Sequence, residues 1–196
     1  MDKTLEYYNT TAKEYVNDTV DANVSELNAF FLRYLPDKAN ILDLGCGSGR
    51  DSKVFIEKGH FVTAIDGSIE FCKLAAAFIG QDVICMRFDE LDYEKQFDGV
   101  WACASLLHVP SKELKTIFKK IARALKVEGY FFACFKYGEF EGDRNGRYFT
   151  DRTEDSLNDI IDEIDELEII ETFLTEDVRR GRENEQWLNA ILRRVC

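Results

Sequence analysis

Five short, continuous apolar runs punctuate the first two-thirds of this chain: Asn40–Leu44, Phe61–Ile65, Val83–Arg87, Gly99–Cys103 and Tyr130–Phe135. Runs without polar alternation suit strands covered on both faces, the environment of a parallel sheet. Helical stretches separate them. In Ser111–Leu125, residues Leu114, Ile117, Phe118, Ile121, Ala122 and Leu125 share one face. Thr153 reads as the N-cap of another helix, with acids in its first turn and Leu157, Ile160, Ile161 and Ile164 facing inward. Strands alternating with helices imply βαβ units and an α/β, doubly wound sheet. Two further strands, about Leu167–Phe173 and Trp187–Leu192, lack a helix-length segment between them and predict an antiparallel hairpin. The expected core is therefore a mostly parallel seven-stranded sheet with a C-terminal antiparallel hairpin. Ahead of it, residues 3–35 read as two helices, the second with Leu27, Phe30, Phe31 and Tyr34 on one face.

Bulk properties narrow the setting. A chain of 196 residues, 45% hydrophobic and 13% aromatic, predicts a single globular domain over residues 1–196. The polar start predicts no signal peptide, and no apolar run approaches the ~20 residues that cross a bilayer, so a cytoplasmic protein without a membrane partner is expected. Six cysteines stand far apart with no CxxC pair, and only two histidines, His60 and His108, are present. That pattern predicts reduced thiols and no metal site. A net charge of −12 counts against a nucleic-acid partner gripped through its phosphates. Nine carboxylates between Glu154 and Glu171 read as a solvated helix face.

The first strand ends in Ile41-Leu42-Asp43-Leu44-Gly45-Cys46-Gly47-Ser48-Gly49-Arg50. Glycines 45, 47 and 49 allow a sharp turn and close approach of a ligand. The second strand ends in Asp66, 17 positions after Gly49, where a carboxylate can accept ribose hydroxyls. The third runs into Phe88-Asp89, an apolar plate and an acid suited to adenine. Three successive strand ends thus describe an adenosine site beyond the carboxyl edge of the sheet. The spacing is not the GxGxxG that seats a pyrophosphate, and no P-loop lysine follows. Asp43 suits a ligand's cationic group better than a phosphate.

These segments resemble a known family. Asp43–Gly49 is similar to motif I of class I S-adenosylmethionine-dependent methyltransferases, and Asp66 and Asp89 to their ribose and adenine acids. Phe97-Asp98-Gly99-Val100-Trp101 and Leu106-Leu107-His108-Val109 resemble the fourth strand and its following turn. Val127-Glu128-Gly129-Tyr130 resembles the turn into the fifth, with Val127–Glu128 where a proline is usual. The similarity covers about residues 37–196. Tyr7, Tyr8 and Tyr15 resemble the aromatic N-terminal segment that caps the cofactor in small-molecule methyltransferases, including the tellurite-resistance type. The resemblance implies a Rossmann-like methyltransferase fold with residues 1–35 as a helical cap and 137–152 as a substrate-side loop. It implies S-adenosyl-L-methionine as cofactor and S-adenosyl-L-homocysteine as product. The expected cofactor contacts are Tyr15, Asp43, Gly45, Cys46, Gly47, Arg50, Asp66, Gly67, Phe88, Asp89 and Cys103.

The implied reaction is in-line attack on the sulfonium methyl, where alignment dominates because the leaving group is neutral. A base helps only an acceptor that must lose a proton. His108 follows the fourth strand near the methyl and is the expected base; the alternative is packing on Leu106 and Leu107. His60 lies at the opposite end of the sheet. An NAD-dependent oxidoreductase is opposed by the glycine spacing, while a non-catalytic cofactor-binding partner stays open. No Asn/Asp-Pro-Pro-Tyr/Phe or Pro-Cys motif marks amino or cytosine methylation, and Cys103 is expected to pack under the cofactor. A small-molecule acceptor is favoured over transfer RNA or protein, with the chain a monomer or homodimer. Arg144 and Arg147 follow the fifth strand, and Arg179, Arg180 and Arg182 occupy the hairpin tip Thr175–Gln186. Both emerge at the glycine-loop edge, so Arg147, Arg179 and Arg182 are expected to hold an anionic acceptor. Pairing with Glu139, Glu141, Asp177 and Glu183 is the competing expectation.

Overall fold

A computed structural model describes residues 3–19, 23–179, 182 and 184–196, the side chains of 16–19 excepted. In chain order the elements are α1 (Lys3–Thr19), α2 (Ser25–Leu32), β1 (Asn40–Leu44), α3 (Arg50–Glu57), β2 (Phe61–Asp66), α4 (Ile69–Ile79) and β3 (Ile84–Cys85). There follow β4 (Phe97–Ala102), α5 (Ser111–Ala124), β5 (Leu125–Lys136), β6 (Glu141–Arg144), β7 (Arg147–Thr150), α6 (Glu154–Ile161), β8 (Leu167–Glu176) and β9 (Gln186–Arg194). The main sheet has seven strands in the order β3-β2-β1-β4-β5-β9-β8. β9 lies antiparallel between β5 and β8, so β8 runs with the parallel set. The expected sheet and its C-terminal hairpin are both present.

Alternation along the central strands sorts side chains between two layers. Val100 of β4 and Phe131 of β5 point into the core beneath α5 and α6, with Leu114, Phe118, Ile121 and Leu157. Trp101 and Phe132, register partners on the same strands, point to the other face. There they stack at 4.1 Å, and Phe31 of α2 and Phe55 of α3 close over Trp101. α4 packs on that face of β2 through Ala75 and Ile79. No helix among the described residues is long and apolar enough to cross a membrane.

Three expectations need correction. The run Val83–Arg87 yields only two paired residues, because β3 is an edge strand whose chain leaves the sheet into the 3₁₀ turn Phe88–Glu90. β5 begins at Leu125 rather than Tyr130, with a pairing irregularity where Glu128 adopts φ 64°. Residues 137–152 are not a plain loop: β6 and β7 form an antiparallel hairpin around Asn145-Gly146, both at positive φ. That dipeptide is a strong local signal for such a turn. The Thr153 cap is as expected, its hydroxyl accepting from Ser156 N at 3.3 Å.

Phe118 is fully buried and meets Phe131 edge-on at 5.5 Å. Phe118→Ala is expected to cost about 3–5 kcal/mol of unfolding free energy, read from urea denaturation with an unchanged slope.

Candidate functional site

The turn after β1 is built by what a side chain would strike. A Cβ on Gly45 would lie 2.5 Å from Ser105 Cβ, and one on Gly49 would lie 2.9 Å from Ile79 Cγ2. All three glycines have positive φ (82°, 54° and 79°). Gly45 N and Cys46 N both donate to Ile65 O at 2.9 Å, tying the turn to β2. Gly47 differs: a Cβ there would meet nothing within 4 Å. It faces a cavity of about 840 Å³ at the carboxyl ends of β1, β2 and β4. Tyr15, Asp43, Gly45, Cys46, Gly47, Arg50, Asp66, Gly67, Phe88, Asp89 and Cys103 all line it. The folded chain therefore brings together the whole set expected to hold the cofactor.

The cavity wall is acidic. Asp66 accepts from Gly47 N at 2.9 Å and Ser68 N at 2.8 Å, joining the glycine turn to the start of α4. Burial still lifts its pKa to about 6. Burial, reinforced by Asp51, lifts Asp43 to about 7 although Ser52 Oγ donates to it at 2.5 Å. Asp51 receives both Arg50 Nε and NH2 at 2.9 Å and Trp101 Nε1 at 3.0 Å. The Arg50 guanidinium thus stands beside two buried carboxylates, Asp51 and Asp43. Asp51 was not anticipated, because an acid in the first turn of a helix reads as ordinary dipole compensation. Cys46 and Cys103 are held as thiols: burial pushes the Cys46 thiol up, and Cys103 is raised by the Cys134 thiol 3.7 Å away and by burial.

Along the rim, Asp89 is exposed and accepts from Arg87 Nε at 3.0 Å, while Phe88 leans on the core. Gly67 lies under α1, where a Cβ would come within 2.8 Å of Leu5 Cδ2. Beyond the glycine loop, His108 bridges Tyr8 Oη (2.7 Å from Nε2) and the Tyr148 carbonyl (2.6 Å from Nδ1). Tyr8 and His108 line both the cavity and a small annex that Arg147, Arg179 and Arg182 also line. The three arginines differ in their partners. Arg179 is held bidentate by Asp177, and Arg182 lies 3.9 Å from Glu185. Arg147 makes no ion pair among the described residues; its guanidinium sits over Tyr7 (4.9 Å) and Phe149 (5.0 Å). Its NH1 donates to Tyr8 Oη at 3.3 Å, and its buried Nε has no hydrogen-bond partner among the described residues. Arg180 and Glu183 lie outside the described residues.

A methyltransferase-domain family matches residues 42–133, from within β1 to within β5. That segment, a little under half of the chain, is similar to a methyltransferase domain. YqeM of Bacillus subtilis (strain 168), itself assigned only provisionally as a methyltransferase, is 35% identical over 132 residues, 62% of this chain and 52% of that one. The ubiquinone biosynthesis O-methyltransferase of Idiomarina loihiensis is 35% identical over 99 residues, 47% and 40% of the two chains. The chain thus spans about half the length of these curated relatives. Burkholderia thailandensis 1,6-didemethyltoxoflavin-N1-methyltransferase, solved with 1,6-didemethyltoxoflavin and S-adenosylhomocysteine bound, shares the fold. Its TM-score is 0.72 at 24% identity, over 97% of this chain and 90% of that one. The structural likeness shows a shared fold.

The raised acids make the protein's stability depend on pH. The folded state keeps protons on Asp43 and Asp66 at pH values where the unfolded chain has released them. Their contribution is full below about pH 4 and is lost as pH rises through their folded values of about 6 and 7. Asp43→Asn, which cannot ionise, should therefore gain stability relative to wild type between about pH 5 and pH 8. Urea midpoints at the two pH values measure this, and a pH-independent difference would mean Asp43 stays ionised in the fold.

Proposed function

We propose that this protein is a methyltransferase that transfers the methyl group of S-adenosylmethionine to a small-molecule acceptor carrying an anionic group. One observation carries the reading: buried, incompletely neutralised carboxylates surround the open space in front of Gly47. Such a wall favours a cationic ligand and opposes a pyrophosphate. In this reading Asp66 lies against the ribose hydroxyls, and Phe88 and Asp89 lie against the adenine face and edge. Asp43, with Arg50 and Asp51 behind it, fixes the potential around the amino-acid end. Gly45, Cys46, Gly47 and Gly67 leave room for the cofactor, Cys103 forms part of the floor, and Tyr15 closes the top. When bound, the cofactor supplies an electrophilic methyl on a positively charged sulfur. The chain's residues then need mainly to align the acceptor and exclude water.

Support for a small acceptor comes from closure of the site. α1 packs on α4 and β7 across the cavity mouth, and Tyr148 N donates to Thr4 Oγ1 at 3.0 Å. Two relatives named above are, by name, methyltransferases of small molecules. The six free thiols suit a reducing, cytoplasmic setting. Among the arginines at the annex, Arg147 is the contact proposed for the acceptor's anion, because Arg179 and Arg182 already face carboxylates.

Calorimetry with S-adenosylhomocysteine tests the cofactor half. Asp66→Ala should weaken binding at least about tenfold, losing charge-assisted hydrogen bonds worth roughly 1.5–3 kcal/mol each. Gly47→Leu should weaken it further, and unchanged affinity in both variants would remove these residues from the site. Arg147→Ala tests the acceptor half: it should leave that affinity unchanged and raise the acceptor's KM about tenfold. An acceptor that proves cationic, or an unchanged KM, removes the anion contact.

A further inference from the structure

Tyr8 and His108 stand 100 residues apart in sequence and 2.7 Å apart in space. The Tyr148 carbonyl can only accept, so the ring proton of a neutral His108 lies on Nδ1. Nε2 then carries the lone pair, and Tyr8 is the donor to it. The Tyr8 oxygen in turn accepts from Arg147 NH1 and shares its cluster with the Tyr15 hydroxyl. The His108 ring is clamped edge-on between Phe149 (4.8 Å) and Tyr8 (5.4 Å). His108 therefore does not present a bare nitrogen to an acceptor. The tyrosine hydroxyl stands in front of it.

We propose that Tyr8 is the catalytic residue that removes the acceptor's proton, handing its own proton to His108 in the same step. This rests on the methyl-transfer reading above and names its acceptor class: a molecule with an ionisable O–H or N–H, such as a phenol, enol or lactam. An acceptor group reaching Tyr8 Oη donates to the oxygen now shared by Tyr15 and Arg147. Its O–H or N–H bond breaks as the proton moves to Tyr8, and the Tyr8 proton moves to His108 Nε2. The electron pair left on the acceptor forms the bond to the methyl carbon, and the carbon–sulfur pair returns to sulfur. A positive charge leaves the sulfonium and a positive charge appears on the imidazolium, whose Nδ1–H stays on the Tyr148 carbonyl. A nucleophile with no proton to lose gains nothing from the pair.

Burial and the neighbouring Tyr15 push Tyr8 well above its ordinary value, against the lowering by Arg147. Tyr8 thus rests as the phenol and acts only with a partner that takes its proton. Other ionisable groups line the same space. Tyr15 of α1, Arg147 of β7, Lys136 of β5, and Arg179 and Arg182 after β8 border the annex, and Glu113 of α5 borders the cavity. Asp177 balances Arg179, while Glu185 is shared by Lys136 and Arg182. Arg147 is left to steady negative charge developing on Tyr8.

Nitrogen-15 NMR of the two histidine rings, with S-adenosylhomocysteine bound, tests the pair without turnover. His60 accepts at Nδ1 from Ala39 N, so its tautomer is the opposite one and the two rings are distinguishable. His108 should show the Nδ1–H form, and Tyr8→Phe should move its Nε2 resonance and titration midpoint. An Nε2–H ring, or one indifferent to Tyr8→Phe, overturns the relay. Labelled methyl transfer into the small-molecule fraction of a cell extract gives the rate. Tyr8→Phe should slow it about 100-fold or more with homocysteine-product affinity unchanged. Wild-type transfer should rise with pH as His108 loses its proton, and His108→Gln should abolish that rise. Tyr8→Phe activity within about threefold of wild type, or wild-type protein that binds S-adenosylhomocysteine yet labels nothing in that fraction, overturns the proposal. Wild-type protein that fails to bind S-adenosylhomocysteine contradicts instead the cofactor reading beneath it.

Discussion

The buried carboxylate of Asp66 accepts one backbone amide from the glycine turn and another from the start of α4. The glycine turn and the β2–α4 junction, 19 residues apart at Gly47 and Asp66, meet on that one side chain. Removing it leaves two N–H groups to find water inside a narrow turn, and an unsatisfied buried donor is costly. The geometry of the cavity depends on this node. Gly47 keeps its amide on Asp66 while its absent Cβ leaves the space in front open. The same burial that makes the node strong raises the carboxyl's pKa, so the wall holds its acids under electrostatic tension. A cationic ligand relieves that tension, which links the fold's least comfortable groups to the ligand class it accommodates.

A second arrangement closes the other side. Lys3 faces Asp143 at 3.5 Å, Thr4 accepts from Tyr148 N, and Tyr7 stacks on Arg147, so α1 is held by the β6–β7 hairpin. The grip is mostly aromatic and neutral, because the exposed ion pair contributes little. It fixes Tyr8 between the hairpin's arginine and the His108 turn. The N-terminal helix and the hairpin, neither part of the seven-stranded sheet, together complete the acceptor side.

Local signals made the sheet readable from sequence. Apolar runs marked β1, β2, β4 and β5, the glycine triplet marked the turn, and Asp66 and Phe88-Asp89 followed from the ends of neighbouring strands. β3 read as longer than it is, because an apolar run does not reveal that a strand sits at an edge with one partner. The β6–β7 hairpin was announced by Asn145-Gly146 and hidden by flanking residues that lack clean alternation. Pairings between distant residues left no trace. Nothing in Tyr8 or His108 alone announces a contact across 100 positions, and Arg147 differs from Arg179 only in what the fold sets beside it.

We infer that an acidic, amide-lined cavity of this kind holds S-adenosylmethionine and not a pyrophosphate dinucleotide. Parallel calorimetric titrations of the wild-type protein with S-adenosylhomocysteine and with NADH separate the two ligands. One equivalent of S-adenosylhomocysteine should bind, at least about 100-fold tighter than NADH, a difference of roughly 2.7 kcal/mol. Comparable affinities, or NADH binding where S-adenosylhomocysteine does not, would contradict it.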